Sequence, residues 1–324
     1  MRIALVHDWH AEVGGDKRVL DALKAMYPDA EILYVSHKKP SKLFLPFMPF
    51  RAESIDLSAY DLVISTGAIF SKGLILRPKT YHINYCHSPT RQVWDLSHEY
   101  RHKIFQHFLR IWDRQASTRV DKFIANSEHV RARIKKFYRR DAEVIYPPVR
   151  HEARNMKHET KNYYLIISRL YRHKNIDIAV KAFNKLGWNL MIIGEGPERT
   201  HLEKLAQPNV KFLGYQSDAT CSMSYASCLA FIMPQEEDFG ITAIEAMMHG
   251  KPVLALRRGG ALEYIEEGVN GLFFDDPHEA VLADGIRRIR EQKFNPEIIK
   301  QSTEKFSCQN FQSSFSNIIN QIAR

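Results

Sequence analysis

The feature that most constrains this chain is an alternation of short β-branched apolar runs with amphipathic segments, which starts near residue 3 and starts again near residue 163. Such alternation is typical of parallel sheets with crossover helices. In the first half we predict strands at Ile3–His7, Ile32–Ser36, Leu62–Thr66, Ile83–Cys86 and Phe123–Asn126. We predict helices at Asp16–Met26, His98–Val120 and Glu128–Phe137.

The segment from Val144 to Val149 predicts an extended strand that two prolines end, and the polar, aperiodic stretch His151–Asn162 predicts an interdomain linker. In the second half we predict strands at Tyr163–Ile167, Leu190–Ile193, Val210–Leu213, Leu229–Met233, Val253–Leu256 and Gly271–Phe274. A last amphipathic helix is predicted from about Gln309 to Ile322.

A length of 324 residues suits two domains of this kind. Ligands of open α/β sheets bind beyond the carboxyl ends of the strands. We therefore expect a cleft between two α/β domains, with a site built from residues that directly follow strands in both halves.

The net charge of +9 lies entirely in residues 1–150, which hold 25 Lys and Arg against 16 Asp and Glu, whereas residues 151–324 hold 21 of each. A basic first half indicates an anionic partner, for which nucleic acid, a membrane surface and a phosphate-bearing acceptor all qualify, or a solvated surface with no partner. The apolar loop Leu45–Phe50 and the basic, aromatic His98–Val120 helix could form a membrane-surface patch or belong to the core.

The four cysteines show neither a C-x-x-C pair nor zinc spacing, which favours free thiols in a reducing compartment. The first apolar run, Ile3 to Val6, is too short for a signal-peptide core, and no uncharged stretch approaches the length of a membrane span. We expect a cytoplasmic protein, or one attached peripherally to the cytosolic face of the inner membrane.

The strongest local signal is the segment from Glu236 to Val253, which leaves a strand and enters a helix near Ile241. Its carboxylates Glu237 and Glu245 are eight positions apart, one in the loop and one in the helix. The backbone N–H groups around Phe239, Gly240 and Ile241 form an anion site at the helix start. An ordinary helix with acidic first-turn residues would explain the first carboxylate but not Glu245.

A second element is Ser168–Asn175, in which Arg169 and Lys174 follow a predicted strand. A guanidinium fork and a compact ammonium at that position suit a diphosphate. Taken alone, basic residues after a strand are usually solvent-exposed surface residues without a ligand. Together with the helix start near Gly240 they predict a phosphate site.

Weaker signals follow two neighbouring strands of the second half. Gly194 and Gly196 form a glycine turn that could cradle a nucleotide, although a lone Gly-x-Gly is commonly only a tight turn. Leu213 and Gly214 end a further strand and are a candidate floor for a base.

The first half lacks the dinucleotide fingerprint, which disfavours a nicotinamide oxidoreductase. Gly14 and Gly15 precede a helix and make a second helix start at the expected cleft. His87 follows a strand in the same cleft-facing position, so its placement rather than its residue type indicates function, although a lone histidine is more often structural.

These motifs resemble those of the family 4 retaining glycosyltransferases of the GT-B fold, and among them the mannosyltransferase-like group of bacterial polysaccharide and O-antigen assembly. The matching motifs span nearly the whole chain: His7-Asp-Trp, Gly14-Gly15, Tyr60–Ser65, Tyr85–Pro89, Asn126–Glu128, Pro147–Val149, Ser168–Leu170 with Lys174, Gly194–Pro197 and the Glu237/Glu245 pair. The spacing of that pair, combined with Arg169 and Lys174, is the specific part.

The resemblance implies an acceptor domain over residues 1–150, joined by a returning helix at about 307–324, and a donor domain over 151–306. It implies that Arg169 and Lys174 neutralise the diphosphate, that Glu237 binds the donor sugar, that Glu245 binds the ribose and that His87 lies against the transferred sugar. Retention would follow a front-face path in which the departing phosphate oxygen takes the acceptor's proton. The full donor-binding set expected is Gly14, Gly15, Arg169, Lys174, Gly194, Gly196, Leu213, Gly214, Glu237, Phe239, Gly240, Ile241, Thr242 and Glu245.

The resemblance also implies a nucleotide-sugar donor, GDP-mannose first, and a glycan or lipid-linked acceptor, with no metal, cofactor or nucleic acid. Relatives usually carry more chain after the position of Ser36, so acceptor identity stays open. Two alternatives remain: a UDP- or other NDP-sugar donor on the same fold, and a non-catalytic sugar-nucleotide binder. The intact set of Arg169, Lys174, Glu237, Glu245 and His87 argues against the second.

Overall fold

The computed structural model describes residues 1–10, 14–41, 44–67, 69–99, 103–149 and 159–322. The chain divides into two compact units, Met1–Pro148 with Cys308–Arg324 and Val149–Ser307.

The first unit is a parallel sheet flanked by helices. Its strands are β1 (Ile3–Trp9), β2 (Glu31–Ser36), β3 (Leu62–Gly67), β4 (Tyr81–Cys86), β5 (Lys122–Ala125) and β6 (Ala142–Val144). Its helices are α1 (Gly15–Met26), α2 (Met48–Glu53), α3 (Lys103–Ser117), α4 (Glu128–Tyr138) and the last helix of the chain, α11 (Cys308–Ile322).

The strand order of the first sheet is β2-β1-β3-β4-β5-β6, and every pairing is parallel. Because strand residues alternate between faces, the sheet has two cores. On one face α1 and α11 bury Leu23 and Phe315 against Leu5 and Ile64. On the other face α2 and α3 pack beside Val6.

The second unit repeats this arrangement with its own sheet. Its strands are β7 (Tyr164–Ile167), β8 (Leu190–Ile193), β9 (Val210–Phe212), β10 (Phe231–Met233), β11 (Val253–Leu256) and β12 (Gly271–Phe274). Its helices are α5 (Ile176–Leu186), α6 (Arg199–Leu205), α7 (Asp218–Ser227), α8 (Ile241–Met248), α9 (Glu279–Glu291) and α10 (Pro296–Gln301). The strand order is β12-β11-β10-β7-β8-β9, again parallel throughout.

The predicted α/β class with two parallel sheets is confirmed. The predicted strand Val144–Val149 is wrong in extent, because β6 ends at Val144. Ile145 still donates its N–H to the Ala125 carbonyl, at 3.0 Å. Prolines at 147 and 148 have no N–H to continue the ladder.

The predicted helix His98–Val120 is also wrong in extent. Ser97–Glu99 is a 3₁₀ turn, residues 100–102 lie outside the described residues, and α3 ends at Ser117. There the Arg140 guanidinium donates to the carbonyls of Ser117, at 3.0 Å, and Val120, at 2.6 Å. Most of the predicted linker His151–Asn162 also lies outside the described residues.

Candidate functional site

The second sheet has one topological switch point, between β7 and β10. Chain order runs from β7 outward to β8 and β9 on one side, and to β10, β11 and β12 on the other. Loops that follow the two strands at such a point diverge and leave a crevice at the carboxyl edge, where ligands of open α/β sheets bind. The segments with Lys174 and Glu237 are the loops after β7 and β10.

The structure brings Lys174 and Glu237 together. The Lys174 ammonium donates to Oε1 of Glu237 at 2.6 Å. The lysine is only 5% exposed, whereas the Glu237 side chain keeps 23% of its surface exposed. Gln235, which is also buried, donates through Nε2 to the same oxygen at 2.9 Å. The carboxylate is therefore fixed from two sides while part of it faces solvent.

Arg169, the other predicted cation, occupies a different environment. It is exposed, and its guanidinium lies 5.9 Å from the centre of the Tyr171 ring. Tyr171 in turn contacts the ring of His173, with ring centres 5.8 Å apart. An exposed arginine on an aromatic face keeps its donors available to a ligand.

The start of α8 has the geometry predicted for an anion site. Gly240 occupies the N-cap position with φ +99°, and no side chain caps the first turn there. The amides of Ile241 and Thr242 begin the helix, and first-turn amides have no partner within a helix. Such amides, together with the helix dipole, favour a negatively charged ligand.

The loop before α8 is held in place by its neighbours. Phe239 is buried against the rings of Tyr264 and Phe306, with ring centres 6.1 and 5.4 Å away. Gly260 donates its N–H to the Glu237 carbonyl at 2.9 Å, and a Cβ at Gly260 would lie 2.6 Å from Cα of Phe239. This close approach fixes the backbone that carries Glu237.

Glu245 is positioned by residues that the sequence analysis missed. The Tyr225 hydroxyl donates to Oε2 of Glu245 at 2.9 Å. The Tyr225 ring stacks on His249, whose Nδ1 donates to the Glu245 carbonyl at 2.8 Å and whose Nε2 contacts the Ser222 hydroxyl at 3.0 Å. A buried tyrosine needs a hydrogen-bond partner, but nothing in the sequence pairs Tyr225 on α7 with Glu245 on α8.

The glycine turn after β8 is explained by packing. Gly194 has φ +134°, and a Cβ there would overlap the Ser168 carbonyl, while a Cβ at Gly196 would overlap the Leu170 carbonyl. The Gly194 N–H donates to the Gly214 carbonyl at 2.8 Å. Both glycines thus let the loops after β7, β8 and β9 lie against one another. Contact of Gly194, Gly196, Leu213 and Gly214 with a nucleotide stays a prediction.

In the first unit, Gly14 is the N-cap residue of α1 and Gly15 its first residue. His87 directly follows β4, and its Nε2 contacts the Thr66 hydroxyl at 2.8 Å. The His87 ring packs edge-on against Tyr85, and its carbonyl accepts from Asn126 Nδ2 at 3.0 Å. His87 is thus held at the carboxyl edge of the first sheet.

The sequence analysis also missed the part played by Asp8 in the His7-Asp-Trp motif. This buried carboxylate accepts the N–H groups of Ile69, Phe70 and Ser71 at 2.8, 2.8 and 2.6 Å. It therefore fixes the loop after β3. Among the described residues, no group of three or more His, Cys, Asp or Glu side chains is arranged to hold a metal ion.

Two family models match the chain, one in each half. The model described as Glycosyltransferase Family 4 matches residues 14–153, and the model described as Glycosyl transferases group 1 matches residues 150–306. The second match contains Arg169, Lys174, Glu237 and Glu245.

Curated relatives match at low identity. An uncharacterized glycosyltransferase of Methanocaldococcus jannaschii is 26% identical over 203 residues, 61% of this chain and 58% of that protein. A GDP-mannose-dependent alpha-mannosyltransferase of Corynebacterium glutamicum is 33% identical over 110 residues, 34% of this chain and 26% of that protein. These alignments thus span between about a quarter and three fifths of the relatives' length.

Solved structures share the fold over the whole chain. The crystal structure of HepE from Anabaena, in complex with UDP, aligns with a TM-score of 0.72 at 17% identity and covers 99% of this chain and 100% of that one. At this identity the likeness shows the fold, which is the predicted two-sheet GT-B fold.

Proposed function

Because this chain belongs to the glycosyltransferases, with a Family 4 first half and a group 1 second half, we propose that it transfers a hexose from a nucleotide sugar to a glycan or lipid-linked acceptor. One observation carries the proposal: the buried Lys174 and the partly exposed Glu237 meet in the crevice of the second sheet, and α8 begins four residues after Glu237 without a side-chain cap.

The proposed donor site provides what departure of a nucleoside diphosphate requires. The diphosphate gains negative charge as its bond to the sugar breaks, and donors already aimed at that charge lower the barrier. The Lys174 ammonium, the Arg169 guanidinium and the first amides of α8 would supply them. Glu237 would bind the sugar hydroxyls, and Glu245, held by Tyr225, would bind the ribose.

We propose that transfer retains the configuration at the anomeric carbon by a front-face path. The bond between the anomeric carbon and the phosphate oxygen breaks, and a bond to the acceptor oxygen forms on the same face. The acceptor's proton passes to the departing phosphate oxygen, so the products are the glycoside and the nucleoside diphosphate. These bond changes and this proton transfer need no metal or cofactor.

GDP-mannose is the donor that we propose first, since the Corynebacterium relative is named for it. The rival is a UDP-sugar, because HepE was crystallised with UDP. Calorimetric titration of the purified protein with GDP, GDP-mannose, UDP and UDP-glucose separates the two. We expect GDP and GDP-mannose to bind at least tenfold more tightly than UDP and UDP-glucose. Tighter binding of the uridine ligands would instead identify a UDP-sugar as the donor.

Turnover separates an enzyme from a binder. Radiolabelled GDP-mannose is incubated with the protein and a crude lipid acceptor fraction, and label in the lipid phase is counted. Arg169→Ala and Lys174→Ala are each expected to lower the rate by about 10²–10³-fold. Lack of label transfer from every donor that binds would favour a non-catalytic sugar-nucleotide binder.

We also infer that the first unit lies on an anionic membrane at the cytosolic face. Large apolar side chains just before and within α2 and on α3 are exposed to between 55% and 78%, namely Phe44, Phe47, Phe50, Ile104, Phe108 and Ile111. Since α2 and α3 pack on the same face of the first sheet, their outer sides face the same way. No helix within the described ranges is long and apolar enough to cross a membrane.

Charge around these side chains matches an anionic surface. Lys38, Lys39 and Arg51 line a pocket of about 310 Å³ beside Phe44 and Phe47. The carboxylates nearby are engaged: Glu53 accepts from Trp112 and Arg119, and Asp113 is buried against Lys72. Apolar side chains beside a basic surface are typical of interfacial helices.

Vesicle sedimentation tests this location. We expect binding to vesicles that contain phosphatidylglycerol, and roughly tenfold weaker binding to phosphatidylcholine alone. Phe47→Ser with Phe108→Ser should weaken the first by at least tenfold. The control Leu262→Ser with Ile298→Ser, exposed to 54% and 45% in the second unit, should not. Equal binding by both variants would refute the inference.

A further inference from the structure

Four polar side chains form a chain of contacts at the carboxyl edge of the first sheet. His7 on β1 lies opposite Thr66 on β3, and His7 Nδ1 is hydrogen-bonded to the Thr66 carbonyl. The Thr66 hydroxyl contacts Nε2 of His87 at 2.8 Å. On its other side, His7 Nε2 lies 3.5 Å from Oδ2 of Asp16, in the first turn of α1.

The two groups that face the His7 ring nitrogens favour its protonated form. A carbonyl can only accept, so Nδ1 carries a proton, and the carboxylate that faces Nε2 favours a second proton there. Burial lowers the pKa of His7, but the Asp16 carboxylate, 3.5 Å from Nε2, and the negative charge of Asp8 outweigh burial and raise it. The surroundings of His7 therefore favour its protonated, imidazolium form.

Asp16 is the anionic partner of this imidazolium. Burial raises the pKa of Asp16, but the nearby His7 ring and the positive charge of His87 outweigh burial and hold the pKa well below its usual range. Its position in the first turn of α1 also favours the charged form. A carboxylate of this kind is a weak base, so it is suited to bind a hydroxyl group rather than to remove its proton.

Asp16 is fixed but still reachable from solvent. The side chain of His7 is 2% exposed, whereas that of Asp16 is 36% exposed. Oδ1 of Asp16 accepts the Lys17 N–H at 3.0 Å, and Oδ2 faces His7, which leaves acceptor capacity on both oxygens. A Cβ at Gly14 would overlap Oδ1 of Asp16, so the glycine makes room for this orientation.

We propose that Asp16 is a further sugar-binding residue, which accepts hydrogen bonds from hexose hydroxyls, and that His7 is the positioning residue that holds its carboxylate. The inference rests on the proposed hexosyl transfer. The ligand chemistry is a hydroxyl-bearing sugar ring beside His87, and it could come from the transferred hexose or from a saccharide acceptor.

Calorimetry with GDP and GDP-mannose, together with NMR titration of methyl α-D-mannopyranoside, tests the assignment. Asp16→Ala is expected to weaken binding of at least one sugar about tenfold while binding of GDP is unchanged. A loss confined to GDP-mannose would identify the transferred hexose, and a loss confined to the mannoside would identify the acceptor. His7→Leu should match this loss, and His7→Gln, which can still donate to the carboxylate, should restore part of it.

Asp21→Asn is the matched control. Asp21 lies on the same helix, its side chain is 34% exposed, and it is paired with Lys17 at 2.7 Å. We expect this variant to bind every probe like the wild-type chain. The assignment is overturned if Asp16→Ala binds both sugars as tightly as wild type, or if the wild-type chain binds neither. Failure to bind GDP would instead count against the donor site of the second unit.

Discussion

Lys174→Met removes the ammonium from the crevice and leaves a carboxylate without its cation. Breaking a buried ion pair by removing one partner costs about 3–5 kcal/mol. Glu237 keeps 23% of its surface exposed and a second hydrogen bond from Gln235, so we expect a cost at or just below the lower end of that range, about 2–3 kcal/mol. The loss should appear in the urea unfolding of the second unit.

Nucleotide binding should respond in opposite directions to changes of the two partners. Lys174→Met removes a cation from the proposed phosphate site and leaves an uncompensated carboxylate, so GDP should bind at least about tenfold more weakly. Glu237→Gln keeps the ammonium and removes a negative charge, so GDP should bind as tightly as before or more tightly. Its turnover should nevertheless fall, because a carboxylate acceptor for the sugar hydroxyls is lost.

Urea denaturation, GDP calorimetry and transfer of radiolabel are measured on the same preparations of the wild-type chain and both variants. The reasoning is refuted if Lys174→Met unfolds and binds GDP like the wild type. It is also refuted if both variants lose GDP affinity equally, since the charge at this position would then not matter.

Three further outcomes can be measured. Gly194→Ala should lower the free energy of unfolding by about 3 kcal/mol, because a Cβ at this position has no room. Gly187 is also at positive φ but has nothing within 4 Å of an added Cβ, so Gly187→Ala should cost only about 1 kcal/mol. Equal urea midpoints of the two variants would contradict this prediction. Burial lowers the pKa of His82 from 6.5 to about 3, so the unfolded chain binds a proton that the folded chain does not, and stability should fall as pH falls between these values. His82→Gln should flatten that part of the stability profile, and an unchanged slope would show that other groups cause it. Tyr225→Phe should weaken GDP binding by roughly 1 kcal/mol, about fivefold, because Glu245 loses its hydrogen bond; unaltered calorimetry would exclude this positioning role.

The sequence predicts the strands well because buried parallel strands are continuous apolar runs, as in Leu190–Ile193 and Val253–Leu256. The sequence predicts the ends of an element less well where side chains from elsewhere in the chain determine them. The end of α3 depends on Arg140, more than twenty residues further along, which no local pattern shows.

The site is predictable in its parts and not in its contacts. A helix start after a strand indicates an anion site from local sequence alone, as at Gly240. The contact of Lys174 with Glu237 spans 63 residues and depends on β7 lying next to β10, which strand boundaries do not determine. The contacts of His7 and Glu245 could not be predicted from the sequence for the same reason.

Exposure of apolar residues on the first unit was equally undecidable from the sequence. The sequence is compatible with Phe50 and Ile104 in a core helix or in a helix at a membrane surface, since apolar residues occur at the same spacing in both. Their exposure of 72% and 78% in the folded unit shows that neither side chain belongs to its core.

The last helix has a consequence for how damage to the gene would act. Because α11 buries Phe311 and Phe315 beneath the first sheet, a premature stop near codon 307 would spare the second unit and strip the first of part of its core. The mutation would lie beyond the coding sequence of the second unit, whereas the defect would lie in the first unit. The first unit can therefore complete its core only after the ribosome has synthesised the second unit and α11.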